Sequence, residues 1–98
     1  MRKQLKVGNK GGKAVIYRIG ICDDEEFEKG EIADKTGEFF LKNGLEASVK
    51  KYVSAEELYF ARKSGEAFDI LLLDVEMSGM TGIDLAKKLR NEGFRGEI

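Results

Sequence analysis

Two stretches of this chain drive an apolar run straight into carboxylates. "RIGICDDEE" (Arg18–Glu26) ends on the pair Asp23-Asp24, and "DILLLDVEMSGMTG" (Asp69–Gly82) ends on Asp74 before a loop with two glycines. A run that is apolar at nearly every position suits a strand buried on both faces, as in a parallel sheet covered by helices. Such sheets bind ligands outside the carboxyl ends of their strands, at the point where strand order reverses. The two acidic ends therefore constrain the fold and the position of a site together.

The elements between them fit that frame. Ala14 to Cys22 reads as the first strand, and a helix from about Glu25 to Asn43 follows, with its acids in the first turn where the dipole favours them. Ile32, Thr36, Phe39 and Phe40 recur at helical spacing, which makes both phenylalanines core candidates. Gly30 and Gly37 weaken this helix by about 1 kcal/mol each relative to Ala. A short strand fits Ala47 to Val53, and "SAEE" (Ser54–Glu57) has the pattern of a capping box opening a helix to about Lys63. The third strand is Asp69 to Asp74. "TGID" (Thr81–Asp84) opens a third helix closing near Gly93, and Gly96–Ile98 could begin another strand. Alternating strands and helices, with connections too long for hairpins, predict an α/β parallel sheet of about three strands and three helices. In the order 2-1-3, strands one and three are neighbours, and Asp23, Asp24 and Asp74 converge.

Converging carboxylates repel, and a hard cation relieves the repulsion. Mg²⁺ takes oxygen ligands, keeps several waters and accepts phosphate oxygens. A carboxylate beside it can act as a nucleophile toward phosphorus. Each acidic stretch alone reads first as caps and turn residues; the joint pattern is what points to a site.

Composition adds bounds. The 98 residues suit one domain, and 42% apolar with 36% charged residues is ordinary for a soluble globular chain. No apolar run is long enough to span a bilayer, and no secretory signal is recognisable. The single Cys22 cannot form an internal disulfide, is read as a buried structural thiol, and fits a reducing cytoplasm. Residues 1–18 carry Arg2, Lys3, Lys6, Lys10, Lys13 and Arg18 and no acid. The other 11 basic groups face all 18 acids, a balance of −7. Residues 1–15 are accordingly read as a basic flexible leader before an acidic domain at 16–98. "GNKGGKA" (Gly8–Ala14) lacks the spacing and hydroxyl of a phosphate loop. Met77 and Met80 read as packing residues.

"RIGICDDEE", "FDILLLDVEMSGMTGIDLAKKLR" (Phe68–Arg90) and the spacing between them resemble the receiver domain of bacterial two-component response regulators. The resemblance covers about residues 17–98 and implies a flavodoxin-like fold. It implies that Asp74 is the phosphoacceptor for a sensor histidine kinase, and that Asp23, Asp24, Asp74 and the backbone carbonyl of Glu76 hold Mg²⁺. It also implies a signalling domain rather than an enzyme, cytoplasmic, reaching DNA only through an output domain for transcription regulation absent here. "DVEM…GIDLA" and "YVSAEEL" are similar to regulators with a LytTR-type output. Ser78 stands where the family usually has proline. The family's full pattern has five strands and five helices, so the chain is expected to be an N-terminal part of a receiver. It would lack the Thr or Ser after strand four and the Lys after strand five; Lys87 and Lys88 are expected to face solvent. An exposed edge on the third strand would favour self-association.

Two alternatives stand beside this reading. "LLLDVEM" also resembles the DxD motif of haloacid-dehalogenase-type phosphatases, with Asp74 as nucleophile and Glu76 as general acid; Glu there replaces the second Asp, and the Asp23-Asp24 pair is left without a role. The other is a non-catalytic pseudo-receiver that keeps the shape as a binding module.

Overall fold

The computed structural model describes residues 9–10 and 13–98, with side chains from residue 15 onward. Most of the basic leader lies outside the described residues. Within it, β1 (Asn9–Lys10) and β2 (Lys13–Ala14) pair antiparallel. The remaining elements are β3 (Ile16–Cys22), α1 (Glu26–Lys42), β4 (Glu46–Tyr52), α2 (Ala55–Lys63), β5 (Ile70–Leu73) and α3 (Gly82–Asn91). β3, β4 and β5 form a parallel sheet in the order β4-β3-β5, the 2-1-3 arrangement of a flavodoxin-like receiver fold.

β3 is the central strand, and it buries both faces. Ile19 and Ile21 pack with Phe40, Ile32 and Ala33 of α1. Cys22 lies on the other face, with Ala55 and Leu58 of α2, Leu71 of β5, and Leu85 and Leu89 of α3. β5 alternates likewise, Ile70 joining the α1 side and Leu71 and Leu73 the other. Burial on both faces holds only from Ile19 onward. Ile16 is 53% exposed and Arg18 is exposed, because the lower end of the strand extends beyond the packed layer.

The pairing of β3 with β5 is fastened at its lower end. Asp69 meets Arg18 in a two-pronged ion pair, Nε to Oδ2 and Nη2 to Oδ1, each at 3.1 Å. Oδ2 also accepts the Arg18 N–H at 2.8 Å, and the Asp69 N–H donates to the Arg18 carbonyl at 2.7 Å. These hydrogen bonds from Arg18 hold the Asp69 carboxyl below the usual carboxylate range. The two acids bounding the "DILLLD" run thus have different uses: Asp69 sets the register, and Asp74 is left to the site.

The helix starts follow the capping chemistry of the sequence. Ser54 Oγ accepts the Glu57 N–H at 3.0 Å, the first half of the expected capping box, while Glu57 Oε1 reaches one residue past the cap and accepts the Val53 N–H at 2.9 Å. Thr81 Oγ1 accepts the Asp84 N–H at 3.1 Å. Phe39 departs from its expected place in the core. It is 50% exposed, whereas Phe40 is buried. The buried stripe of α1 runs through Lys29, Ile32, Ala33, Thr36 and Phe40, and position 39 falls off its edge. In α3, Ile83 is 50% exposed, while Leu85 and Leu89 take the core. Gly96–Ile98 adds one parallel bridge, Glu97 with Ile70. Lys87 and Lys88 are exposed, as expected.

Gly82 is required where β5 returns to α3. A β-carbon there would collide with the Asp74 carbonyl oxygen and lie 3.3 Å from the Val75 Cα, both backbone atoms that cannot step aside. Gly82→Ala is expected to cost about 1–3 kcal/mol of stability, the usual penalty for overpacking. Gly30→Ala, with nothing near the added carbon, should instead gain about 0.5–1 kcal/mol. Urea unfolding of both variants checks this, and equal midpoints would contradict the crowding at residue 82.

Candidate metal centre

Strand register builds the site. β3 and β5 run parallel with Cys22 opposite Leu73, so the next residue of each strand, Asp23 and Asp74, emerges on the same edge of the sheet. Backbone bonds hold both there. The Asp74 N–H donates to the Cys22 carbonyl at 2.9 Å, and the Asp23 N–H donates to the Tyr52 carbonyl at 3.2 Å. Asp24 follows Asp23 into the turn before α1. Asp23, Asp24 and Asp74 each offer a carboxylate oxygen, all within 4.8 Å of one another. The three candidates singled out in the sequence therefore do converge. The fourth candidate is the backbone carbonyl of Glu76, two residues beyond Asp74, and the Glu76 side chain is exposed.

The carboxylates differ in surroundings. Asp23 is buried, and its Oδ1 accepts the Glu25 N–H at 2.9 Å, which fixes its orientation. Asp74 is half-buried and Asp24 exposed. Asp24 Oδ2 accepts the Ser78 N–H at 3.4 Å, a long bond. Converging oxygens, one rigidly oriented and the outer ones open to solvent, fit a hard divalent cation that retains water. The donor set is all oxygen, which disfavours soft metals.

A further acid faces this cluster. Glu28, exposed in the first turn of α1, has its carboxyl pushed up chiefly by the negative charge of Asp23, then by a smaller loss of hydration and by Glu25 and Asp74. Its position three residues after Glu25, whose side chain accepts the Glu28 N–H at 3.2 Å, was visible in the sequence. Its approach to Asp23 depends on how the turn is folded. Lys29 was not anticipated either. It is 2% exposed, and its ammonium lies 3.1 Å from Glu26. The whole side chain is buried, and its charge is met by the solvent-facing Glu26 carboxylate.

Beneath the acids, Cys22 is fully buried with Sγ 3.6 Å from Met77 Sδ. Burial first, then the charges of Asp23, Glu57 and Asp74, pushes the thiol up to about 12, against the smaller opposing effect of Lys29. It stays protonated and unreactive, as a structural thiol should. Met77 is buried in the same cluster and Met80 packs against it, as expected.

No protein-family model matches the chain, and no curated protein matches it. Solved structures do. The response regulator TrrA of Thermotoga maritima, in complex with Mg²⁺-BeF, is 25% identical with a TM-score of 0.67 over 79% of this chain and 61% of that one. A Francisella response regulator receiver domain (1452) is 25% identical with a TM-score of 0.53, over 78% of this chain and 57% of that one. A fusion protein carrying the yeast Spc42 trimeric coiled coil shares the fold at 20% identity, with a TM-score of 0.73 over 86% of this chain and 51% of that one. The chain thus spans about 60% of the length of the two receivers it resembles.

Proposed function

We propose that this chain is a receiver of two-component signalling, accepting a phosphoryl group on Asp74 from a sensor histidine kinase. The observation that supports this most is the convergence of Asp23, Asp24 and Asp74 within 4.8 Å at the shared edge of β3 and β5, in a fold similar to response regulator receivers. Asp23, Asp24 and Asp74, with the backbone carbonyl of Glu76, would hold Mg²⁺. When bound, Mg²⁺ supplies positive charge for the oxygens of the phosphoryl group.

The chain's own residues do the rest. A carboxylate oxygen of Asp74 attacks phosphorus, forming the acyl P–O bond. The P–N bond of the donor phosphohistidine breaks, and its electron pair stays on the imidazole nitrogen. Asp23, locked by the Glu25 N–H, provides the fixed wall of the site. The turn at Asp24 and the loop after Asp74 provide its open mouth. The chain stores the group rather than turning substrate over, so it acts as a signalling domain and not as an enzyme. It works in the cytoplasm, upstream of an output that regulates transcription, and it self-associates through the part of the β5 edge above Glu97, which no strand pairs among the described residues. The phosphatase reading leaves the Asp23-Asp24 pair idle, although the fold brings it to Asp74.

Incubation with radiolabelled acetyl phosphate and Mg²⁺ tests the reading. Label labile to both acid and base should appear in the wild type, fall to background in Asp74→Asn, and be suppressed by EDTA. Label that persists in Asp74→Asn would show that another residue is the acceptor.

A further inference from the structure

The segment between β5 and α3, residues 74–81, has no regular secondary structure, yet it carries Asp74 and Glu76. Three hydrogen bonds of its 75–82 backbone stand out. The Gly82 N–H donates to the Val75 carbonyl at 3.1 Å and closes the loop on itself. The Ser78 N–H reaches Asp24 Oδ2 at 3.4 Å, long and therefore weak. The Met80 N–H reaches Glu56 Oε2 at 3.0 Å, a charge-assisted bond of ordinary length from α2, 24 residues away in sequence. Gly79 makes that approach possible. It sits at φ 78°, and a β-carbon on it would lie 2.9 Å from Glu56 Oε2. Glu56 is thus the firmer of the two carboxylates that reach this loop from outside it, and Asp24 is the one a cation would draw away.

We infer that Glu56 is a positioning residue for the metal centre: by gripping the Met80 N–H from α2, it holds the 75–81 loop, which carries Glu76, beside Asp74 and against Asp24, where the Ser78 N–H lands. This rests on the metal reading proposed above. Outer partners that orient metal ligands typically change affinity by about 10–100-fold when removed. Glu56 also lies in the first turn of α2, where an acid favours the helix dipole regardless of any loop contact. The two roles separate by chemistry. A glutamine at 56 loses the charge but keeps an oxygen that can accept the Met80 N–H, whereas an alanine loses both.

The experiment is an NMR titration with Mg²⁺ of wild type, Glu56→Gln and Glu56→Ala, with amide hydrogen exchange at Met80 in the same samples. Positioning predicts that Glu56→Ala binds Mg²⁺ about tenfold or more weakly, with fast exchange at Met80. Glu56→Gln, which keeps the acceptor and loses the charge assistance, should fall between Glu56→Ala and wild type in both. Equal weakening by Gln and Ala would overturn the inference in favour of a charge effect alone. So would unchanged affinity in Glu56→Ala once its Met80 amide exchanges freely. If the wild type itself shows no response to Mg²⁺ while Met80 protection still depends on residue 56, the metal reading falls, and with it the role assigned to Glu56.

Discussion

Asp23→Asn is expected to abolish Mg²⁺ binding while leaving the metal-free chain at least as stable as the wild type. Asp23 is the buried member of three converging carboxylates, and its Oδ1 already accepts the Glu25 N–H. Asparagine keeps that acceptor, so the turn before α1 survives. What disappears is one of three negative charges within 4.8 Å of one another. Without metal, those charges repel, and removing one relieves the fold. With metal, the same charge is what binds. An open, hydrated carboxylate site with a Kd of about 1 mM gives the wild type about 1.4 kcal/mol of extra stability at about 10 mM Mg²⁺. The variant should gain none. Thermal or urea unfolding with and without Mg²⁺ reads both halves at once. An equal Mg²⁺-dependent shift in the two proteins would remove the metal assignment.

Leu72→Lys is expected to convert a self-associating chain into a monomer. Glu97 covers the lower part of the β5 edge, its carbonyl accepting the Leu71 N–H at 2.8 Å and its N–H donating to the Asp69 carbonyl at 3.0 Å. Among the described residues no strand or bridge pairs with that edge above this point. Beside it lies an open groove of about 440 Å³ lined by Ile19, Ile32, Phe39, Phe40, Ile70 and Leu72. Leu72 is 37% exposed and Phe39 half exposed. An unpaired edge flanked by apolar side chains is a template for another chain, and lysine at such an edge opposes pairing. Sedimentation of the wild type should shift with concentration, and that of Leu72→Lys should not. A wild type that stays monomeric at every concentration would show that Glu97 covers enough of the edge.

The parts of the fold legible in sequence were those set by local pattern. The apolar runs before Asp23 and Asp74 marked β3 and β5 because a doubly covered strand needs nearly every position apolar. "SAEE" and "TGID" marked helix starts because capping is chemistry within four residues. The convergence of the three acids also followed, since parallel register carries Asp23 and Asp74 to one edge once the order 2-1-3 is assumed. What escaped was set by distance along the chain. Glu56 meets Met80 across 24 residues, and Arg18 meets Asp69 across 51. No periodicity announces either. Lys29 escaped because a lysine in a helix reads as solvent-facing, whereas here its stem fills the first buried position of α1. Phe39 was misplaced for the converse reason: two adjacent phenylalanines cannot both face one sheet from a helix, and the pattern alone did not say which would turn away.

The most direct test of the central claim is to trap the phosphoryl group chemically. After reaction with acetyl phosphate and Mg²⁺, borohydride reduces an aspartyl phosphate to homoserine, which mass spectrometry locates in the tryptic peptide Ser64–Lys87. Homoserine is expected at residue 74 and nowhere else, dependent on Mg²⁺ and lost in Asp23→Asn. Homoserine at residue 23 or 24, or an unreduced Asp74 in a protein that carries label, would contradict it.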